Sequence, residues 1–499
     1  MICTRIYIKS IAKPHMLESS GCKRKRSDYD EQTVQDDIFT VKSLKRLKDN
    51  FNKDETNKLV QNALCSNWLY QVSEEREYMQ SRDRHFSHTI EPKLVVTNQG
   101  LSGRCWMFAV LNVIRYEFIK DMHLPKDFEF SESYLSFYEK IEKCNYFLTH
   151  FMDKDEVDPE DYKTLSTLQS GLFEGGYWTS CINLIKKYGL IPKSCYLESI
   201  NSFNTDVVDD LVSTKLREFS LMLVKEKPEN RMELKSKMIE EIYAILSKML
   251  GTPPCPTEEI TWAYTPDQEL IDMIRIEEER EKTGRYKALE IKKNIKITPL
   301  DFYKKFISHN IDSYLTLSHD PRNEFNKYYE SHDIDVVVGG APHGYYNMPV
   351  ESIANMCILS ILDNTPIQFS CDVHHYFHPD ENLFDTKSLN YNLLFKTNFD
   401  KLSKSEMLNV RESNPNHAMV LVGVDLDPLG NPIKWKIENS WGRTHESSVG
   451  DYYIMSHDWF KRYVYDVVIH KKYVSRQFFL KYRKAKQNKV VLPEFDVMC

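Results

Sequence analysis

Three side chains far apart in this sequence could together carry out covalent acyl transfer: Cys105, His417 and Asn439. Cys105 follows a loop bearing Gly100 and Gly103 and opens the run "CWMFAVLNVIRYEFIKDM", whose apolar residues fall at helical spacing. A thiol at a helix N-terminus meets unpaired N–H groups and partial positive charge, both of which favour thiolate. A lone cysteine is more often a small buried hydrophobe than a nucleophile, so the case for Cys105 has to come from elsewhere in the chain. His417 in "NPNHAMVLVGVD" and Asn439 in "KIENSWG" supply it. The segments 417–424 and 433–439 read as strands joined by the turn "DLDPLGNP", and pairing across that turn brings His417 beside Asn439. Asn439 can then orient the imidazole, and the imidazole can serve Cys105 as a base.

Thiolate formation alone is not enough for catalysis. Lowering a cysteine pKa from about 8.5 to about 4 raises the neutral-pH thiolate roughly 30-fold, while a Brønsted slope near 0.5 lowers intrinsic reactivity about 100-fold. The larger contributions are an imidazolium proton delivered to the leaving amine and hydrogen bonds to the developing oxyanion, the latter worth about 3 to 4 kcal/mol per donor. Gln99, six residues before Cys105 on the approach loop, is the side chain placed to provide such a bond together with the Cys105 backbone N–H.

The elements that must position these groups divide the chain in two. Residues 57–200 read as helical: apolar spacing marks helices over 58–70 and 105–122, and "GLFEGGYWTSCINLIKKYGLIP" shows a glycine turn, a helix from about Tyr177 and a stop at Gly189. Residues 201–300 read as a helical insertion, with Leu216, Phe219 and Leu223 on one helix and Met238, Ile242, Ile245, Leu246 and Met249 on another. Thr298-Pro299 then caps a further helix. From 301 to 499 the chain turns β-rich: "DVVVGG", "PIQFSCDV", "HAMVLVGVD", "IKWKIENSW", "GDYYIM" and "VYDVVIH" predict an antiparallel sheet. Residues 1–56 are basic, then polar, and read as a disordered extension.

Composition excludes several other classes. The chain has 499 residues, 41% of them hydrophobic, enough for a large core, and its formal charge of −7 gives no global case for nucleic acid as the main partner. Lys23-Arg24-Lys25-Arg26 is the local exception, readable as a solvated tail, a nuclear address or a nucleic-acid contact. No apolar run reaches the 18 to 20 residues of a membrane span, and eleven cysteines without C-x-x-C spacing suit reduced thiols in the cytoplasm. Nothing in the sequence calls for a metal or cofactor.

Gln99-x5-Cys105-Trp106, Asn416-His417-Ala418 and Asn439-Ser440-Trp441-Gly442 together resemble the papain superfamily of cysteine peptidases, and "NQGLSGRCW" resembles its bleomycin hydrolase (aminopeptidase C) branch. The 312 residues from Cys105 to His417 exceed the roughly 130 to 150 of papain-like enzymes, which the insertion explains. The resemblance implies an α+β, two-lobed fold, with the helical lobe carrying the cysteine and the sheet lobe the histidine and asparagine. It makes Cys105 the nucleophile, His417 the base and acid, Asn439 the orienter, Gln99 the oxyanion donor and Trp441 the shield over the His417–Asn439 bond.

Gly175-Gly176 resembles the glycine pair along which such enzymes bind peptide, and equally reads as a plain turn before a helix. The role of Asp372 stays open. The branch further implies peptide substrates, a homohexameric ring, and a C-terminal arm whose final carboxylate, here on Cys499, captures the substrate amine. The alternatives are a papain-like endopeptidase or acyltransferase, and a nucleic-acid-binding or scaffold role of the ring.

Overall fold

In a computed structural model of the chain, residues 40–158, 160–267, 293–332, 336–442 and 451–498 are described. The chain separates into two compact units, Met1–Asp83 with Lys387–Leu402, and Arg84–Thr386 with Ser403–Cys499. The division falls after Asp83 and not at residue 56, because the early helices group with a later loop: Asn390 N–H donates to Ser73 O and Lys396 pairs with Asp54.

In the first unit, Val41–Asn52 is a helix inside the segment expected to be a tail. Its start is fixed by a reciprocal cap, Ser43 N–H donating to Thr40 Oγ1 and Thr40 N–H to Ser43 Oγ. Val41, Leu44, Leu47 and Phe51 recur at helical spacing, although none of the helix is buried. Glu55–Ser66 follows as a second helix.

The second unit is built around the Cys105–Met122 helix, which packs against the strands Ile367–Cys371 and His417–Leu426. Most of its residues are buried on every side, so it is a central helix and not an amphipathic surface one. Trp178–Tyr188 ends on Gly189 at φ +80, as the glycine stop predicts, and Pro299–Phe306 is capped by Thr298.

The insertion is helical over Asp206–Lys225 and Pro228–Leu250, which bury Leu216, Phe219, Leu223, Met238, Ile242 and Leu246 against Phe137, Phe147 and Leu148 of the Glu132–His150 helix. It therefore shares a core with the Glu132–His150 helix. Its last described stretches are strands: Ile260–Tyr264 and Lys293–Ile297 pair antiparallel. There "ITWAY" alternates, and Trp262 turns inward onto Phe118, Phe128 and Phe302.

Among the described residues the main sheet has twelve strands, with the His417 strand between Ile367–Cys371 and Pro432–Glu438. It is mixed and not purely antiparallel, since Tyr314–Ser318 runs parallel to His343–Asn347, Tyr453–Ser456 to Leu383–Phe384, and Val490–Val491 to Tyr328–Ser331. The segment "DVVVGG" is a correction of another kind. Its described part, 336–340, is no strand; Gly340 N–H closes a turn onto Val337 O, with Gly339 at φ +80. Val336 and Val337 are buried all the same, which is why the sequence there looks strand-like.

A buried ion pair ties helix to sheet. Arg115, on the Cys105 helix, donates to Glu438 at 2.6 Å, and the Tyr116 hydroxyl donates to the same carboxylate at 3.0 Å. Both charged groups are almost wholly out of water, so removing one strands the other. Arg115→Met should lower unfolding stability by about 3 to 5 kcal/mol in chemical denaturation, whereas breaking a solvent-exposed pair such as Lys237–Glu233 should leave the denaturation midpoint nearly where it is.

Candidate active site

Cys105 is the first residue of its helix and sits at the bottom of a cleft of about 280 Å³ lined also by Trp106, Glu174, Gly175, Gly176, His417 and Ala418. The hairpin forms as the spacing predicts. Val420 pairs with Glu438 and Leu421 with Ile437, which brings the strand ends together, and His417 Nε2 lies 2.9 Å from Asn439 Oδ1. That bond occupies Nε2 and leaves Nδ1 for the cysteine. The backbone of Ala418, the residue after His417, stabilises the Cys105 thiolate, and cysteine and histidine line the same cleft.

Burial dominates the electrostatics. It pushes the Cys105 thiol up to about 11, against hydrogen bonds from Ala418 and Trp106, and the Glu174 carboxylate adds to the rise. Burial also pulls His417 down to about 4, partly offset by its bond to Asn439. In the closed cleft both partners are neutral. Trp441 lies over the imidazole at a ring separation of 4.9 Å and shields the His417–Asn439 bond from one side.

Gln99 is positioned by the segment that carries Asn439. Its backbone N–H donates to Ser440 O, and its side-chain oxygen accepts from Ser440 Oγ at 2.6 Å. One amide N–H goes to Ser102 O at 2.6 Å, which leaves the second for any oxyanion. Gln99 is buried and does not itself line the cleft as described. Ser102 and Arg104, which mark the resemblance, brace this loop: Ser102 donates to Gln99 O, and Arg104 bonds Ser102, Ser133 and Glu198.

Gly175 and Gly176 both line the cleft, for different reasons. Gly175 has φ +97 with open space where a Cβ would stand, whereas a Cβ on Gly176 would meet the Trp106 ring at 2.8 Å. Cys499 lies outside the described residues, as do the basic run Lys23 to Arg26 and the segment 443–450 after Gly442.

The roles of other residues at the site emerge only in the structure. Asp372, left without a role there, anchors the loop before His417: it accepts from Asn416 Nδ2 at 2.6 Å and Ser413 Oγ at 2.7 Å and pairs with His375 at 3.2 Å. Lys143 holds the glycine loop through Phe173 O and Gly175 O, while its charge is met by Glu139. Only the folded chain brings such partners together.

The Peptidase C1-like family model matches residues 38–499. The chain belongs to the Peptidase C1-like family. Human bleomycin hydrolase is 32% identical over 461 residues, covering 90% of this chain and 95% of that protein, and aminopeptidase C of Lactobacillus delbrueckii subsp. lactis is 32% identical over 456 residues with the same coverage. Among solved structures, PepW from Lactobacillus rhamnosis HN001 superposes with a TM-score of 0.80 at 29% identity, covering 92% of this chain and 98% of PepW. Within the Peptidase C1-like family the chain stands in the bleomycin hydrolase and aminopeptidase C branch, and it is a cysteine peptidase. The large insertion is part of the shared fold, since the matches run through it.

The glycine pair gives a direct check of this geometry. Gly176→Ala should lower the thermal midpoint by several degrees and perturb tryptophan fluorescence, as the new methyl displaces Trp106. Gly175→Ala, with room but the wrong φ, should cost about 1 to 2 kcal/mol and leave the tryptophan spectrum as it is.

Proposed function

We propose that the chain is a thiol aminopeptidase that removes N-terminal residues from peptides through an acyl-enzyme on Cys105. The observation that carries this is the 2.9 Å His417–Asn439 bond, with the Cys105 thiol held against Ala418 on the same cleft. In this reading the Cys105 sulfur attacks the scissile carbonyl as its proton passes to His417 Nδ1. The oxyanion takes hydrogen bonds from the Cys105 backbone N–H and the free Gln99 amide N–H. Collapse expels the amine, which leaves with the His417 proton, and water activated by His417 then hydrolyses the thioester. Gly175 and Gly176 lie along the bound peptide, and Trp441 keeps water from the His417–Asn439 bond.

The exopeptidase part is supported by the course of the C-terminal arm. Val490–Val491 adds to the sheet beside Tyr329 and Glu330. Asp496 pairs with Arg322 at 2.8 Å, Phe495 O accepts from Arg411, and Met498 O accepts from the hydroxyl of Tyr177, a cleft residue. The chain is thus held against the cleft up to the residue before Cys499, whose carboxylate would meet the substrate's free amine in this reading. A cytoplasmic homohexamer completes it, for which light scattering should give about six times the 59.0 kDa chain mass. Among the described residues no helix is long and apolar enough to cross a membrane. The nucleic-acid alternative rests on Lys23 to Arg26, outside the described residues.

Cys105→Ala should reduce hydrolysis of aminoacyl coumarylamides roughly 10⁴-fold or more. Removing residues 495–499 should lower kcat/KM for peptides with free amino termini at least tenfold and open the enzyme to N-acetylated ones; an unchanged preference for free amines would leave it a peptidase without this arm's control. The kcat/KM profile should rise through an acid limb near pH 4, where His417 loses its proton and can act as base, and fall only in strongly alkaline solution as Cys105 ionises. An acid limb near 6.5, the ordinary imidazole value, would mean that the cleft is wetter than the structure has it.

A further inference from the structure

The sheet side of the cleft ends in a polar floor made by Thr316, Gln368, Ser370 and Asp466, with Val468 beside them. Strand register explains why these residues share a face. Asp466 pairs with Ser370 and Ser318, and Val468 with Gln368 and Thr316, so alternate positions on three neighbouring strands point the same way. Asp466 and Gln368 are each only 4% exposed. One carboxylate oxygen of Asp466 accepts from Ser370 Oγ at 2.7 Å. Its other oxygen, Oδ1, and the Gln368 Oε1 have no hydrogen-bond partner among the described residues.

Two buried acceptors without donors are costly to keep unless something supplies the donors. The remaining charges of the cleft are already balanced. Glu139 and Lys143 pair with each other, and Glu174 accepts from Thr205 and is stabilised by Lys140. The cation that acts on Asp466 is Lys404, but its ammonium is engaged with the carbonyls of Val464 and Lys461 and lies over the Tyr465 ring. Among the described residues neither Glu174 nor Asp466 has a cation within ion-pairing distance, but only Asp466 keeps a carboxylate oxygen without a donor.

Resting on the peptidase reading above, we propose that this floor is a side-chain subsite that selects peptides carrying a lysine or arginine, whose terminal N–H groups donate to Asp466 Oδ1 and Gln368 Oε1. A long basic side chain fits the chemistry because its methylenes can run past Val336, Val337 and Val468 while its head alone needs acceptors. Apolar side chains of the same length fill the same space but leave both acceptors unmet, and a site built to hydrogen-bond its ligand discriminates strongly against an analogue that cannot.

The test uses the full chain with Cys105→Ala, which binds without turnover, and isothermal calorimetry with peptides that differ only by lysine or norleucine at one position. Lysine should bind at least tenfold tighter, and Asp466→Asn on the same background should cut that ratio at least fivefold. Gln368→Met, which leaves the Asp466–Ser370 bond in place, should narrow it at least twofold and serves if the Asp466 variant does not fold. Equal binding of the two peptides, or a lysine preference that survives both variants, would overturn the proposal. Because these measurements involve no chemistry, they decide it separately from whether Cys105 hydrolyses peptides, which the coumarylamide assay reports.

Discussion

The site depends on a buried charge placed one residue from it. Glu438 ends the strand that delivers Asn439, and Arg115 reaches it from the helix that begins at Cys105. Helix and hairpin are therefore joined at the point where their reactive groups must meet. Tyr116 and the carbonyls of Val95 and Phe128 give this pair further partners, leaving Arg115 Nε as the donor unmet among the described residues, so that the charges are buried with partners and not alone. A second set of bonds repeats the connection on the other side of Asn439: Ser440 holds Gln99, Asn98 bridges to Trp441, and Gly442 N–H donates to Thr97 O. The approach loop and the asparagine segment behave as one ledge on which the cysteine helix starts.

This construction explains the neutral state of the thiol and imidazole. Burial fixes distance and orientation, but it removes the water that would support an ion pair, and Glu174 beside Cys105 works against thiolate as well. The orienting groups are therefore prepared in advance, whereas charge develops only when a substrate carbonyl and its oxyanion donors are present. The same dryness gives polar groups in the cleft floor leverage over selectivity, because an unmet acceptor there has no solvent to turn to.

The sequence was most informative where periodicity and turns coincide. The helix from Cys105 to Met122, the glycine stop at 189, the Thr298 cap and the His417–Asn439 hairpin all follow from local spacing and punctuation. It misled where local pattern and tertiary role part. The valines of 336–338 look like a strand because two of them are buried, yet they form part of a turn on the cleft wall. The pairing of 260–264 with 293–297 was hidden by the helices before it, and the parallel pairings depend on strands distant in sequence. Lys143 and Arg115 carried no visible signal and Asp372 no visible role, since an acid or a base reveals its role only through partners that folding supplies.

The claim on which the rest stands is that Cys105, and no other thiol, is the reactive group. The described cysteines are all free, and those at 144, 181, 357 and 371 are buried with their thiols pushed up by desolvation, whereas among the described cysteines it is Cys105 that lines the cleft with His417. The most direct measurement is labelling with a peptidyl epoxide under native conditions, with the modified residue mapped by mass spectrometry in the wild-type chain and in His417→Ala. The account predicts stoichiometric modification at Cys105 that slows at least a hundredfold when His417 is removed. Modification at another cysteine, or labelling of Cys105 that is indifferent to His417, would contradict it.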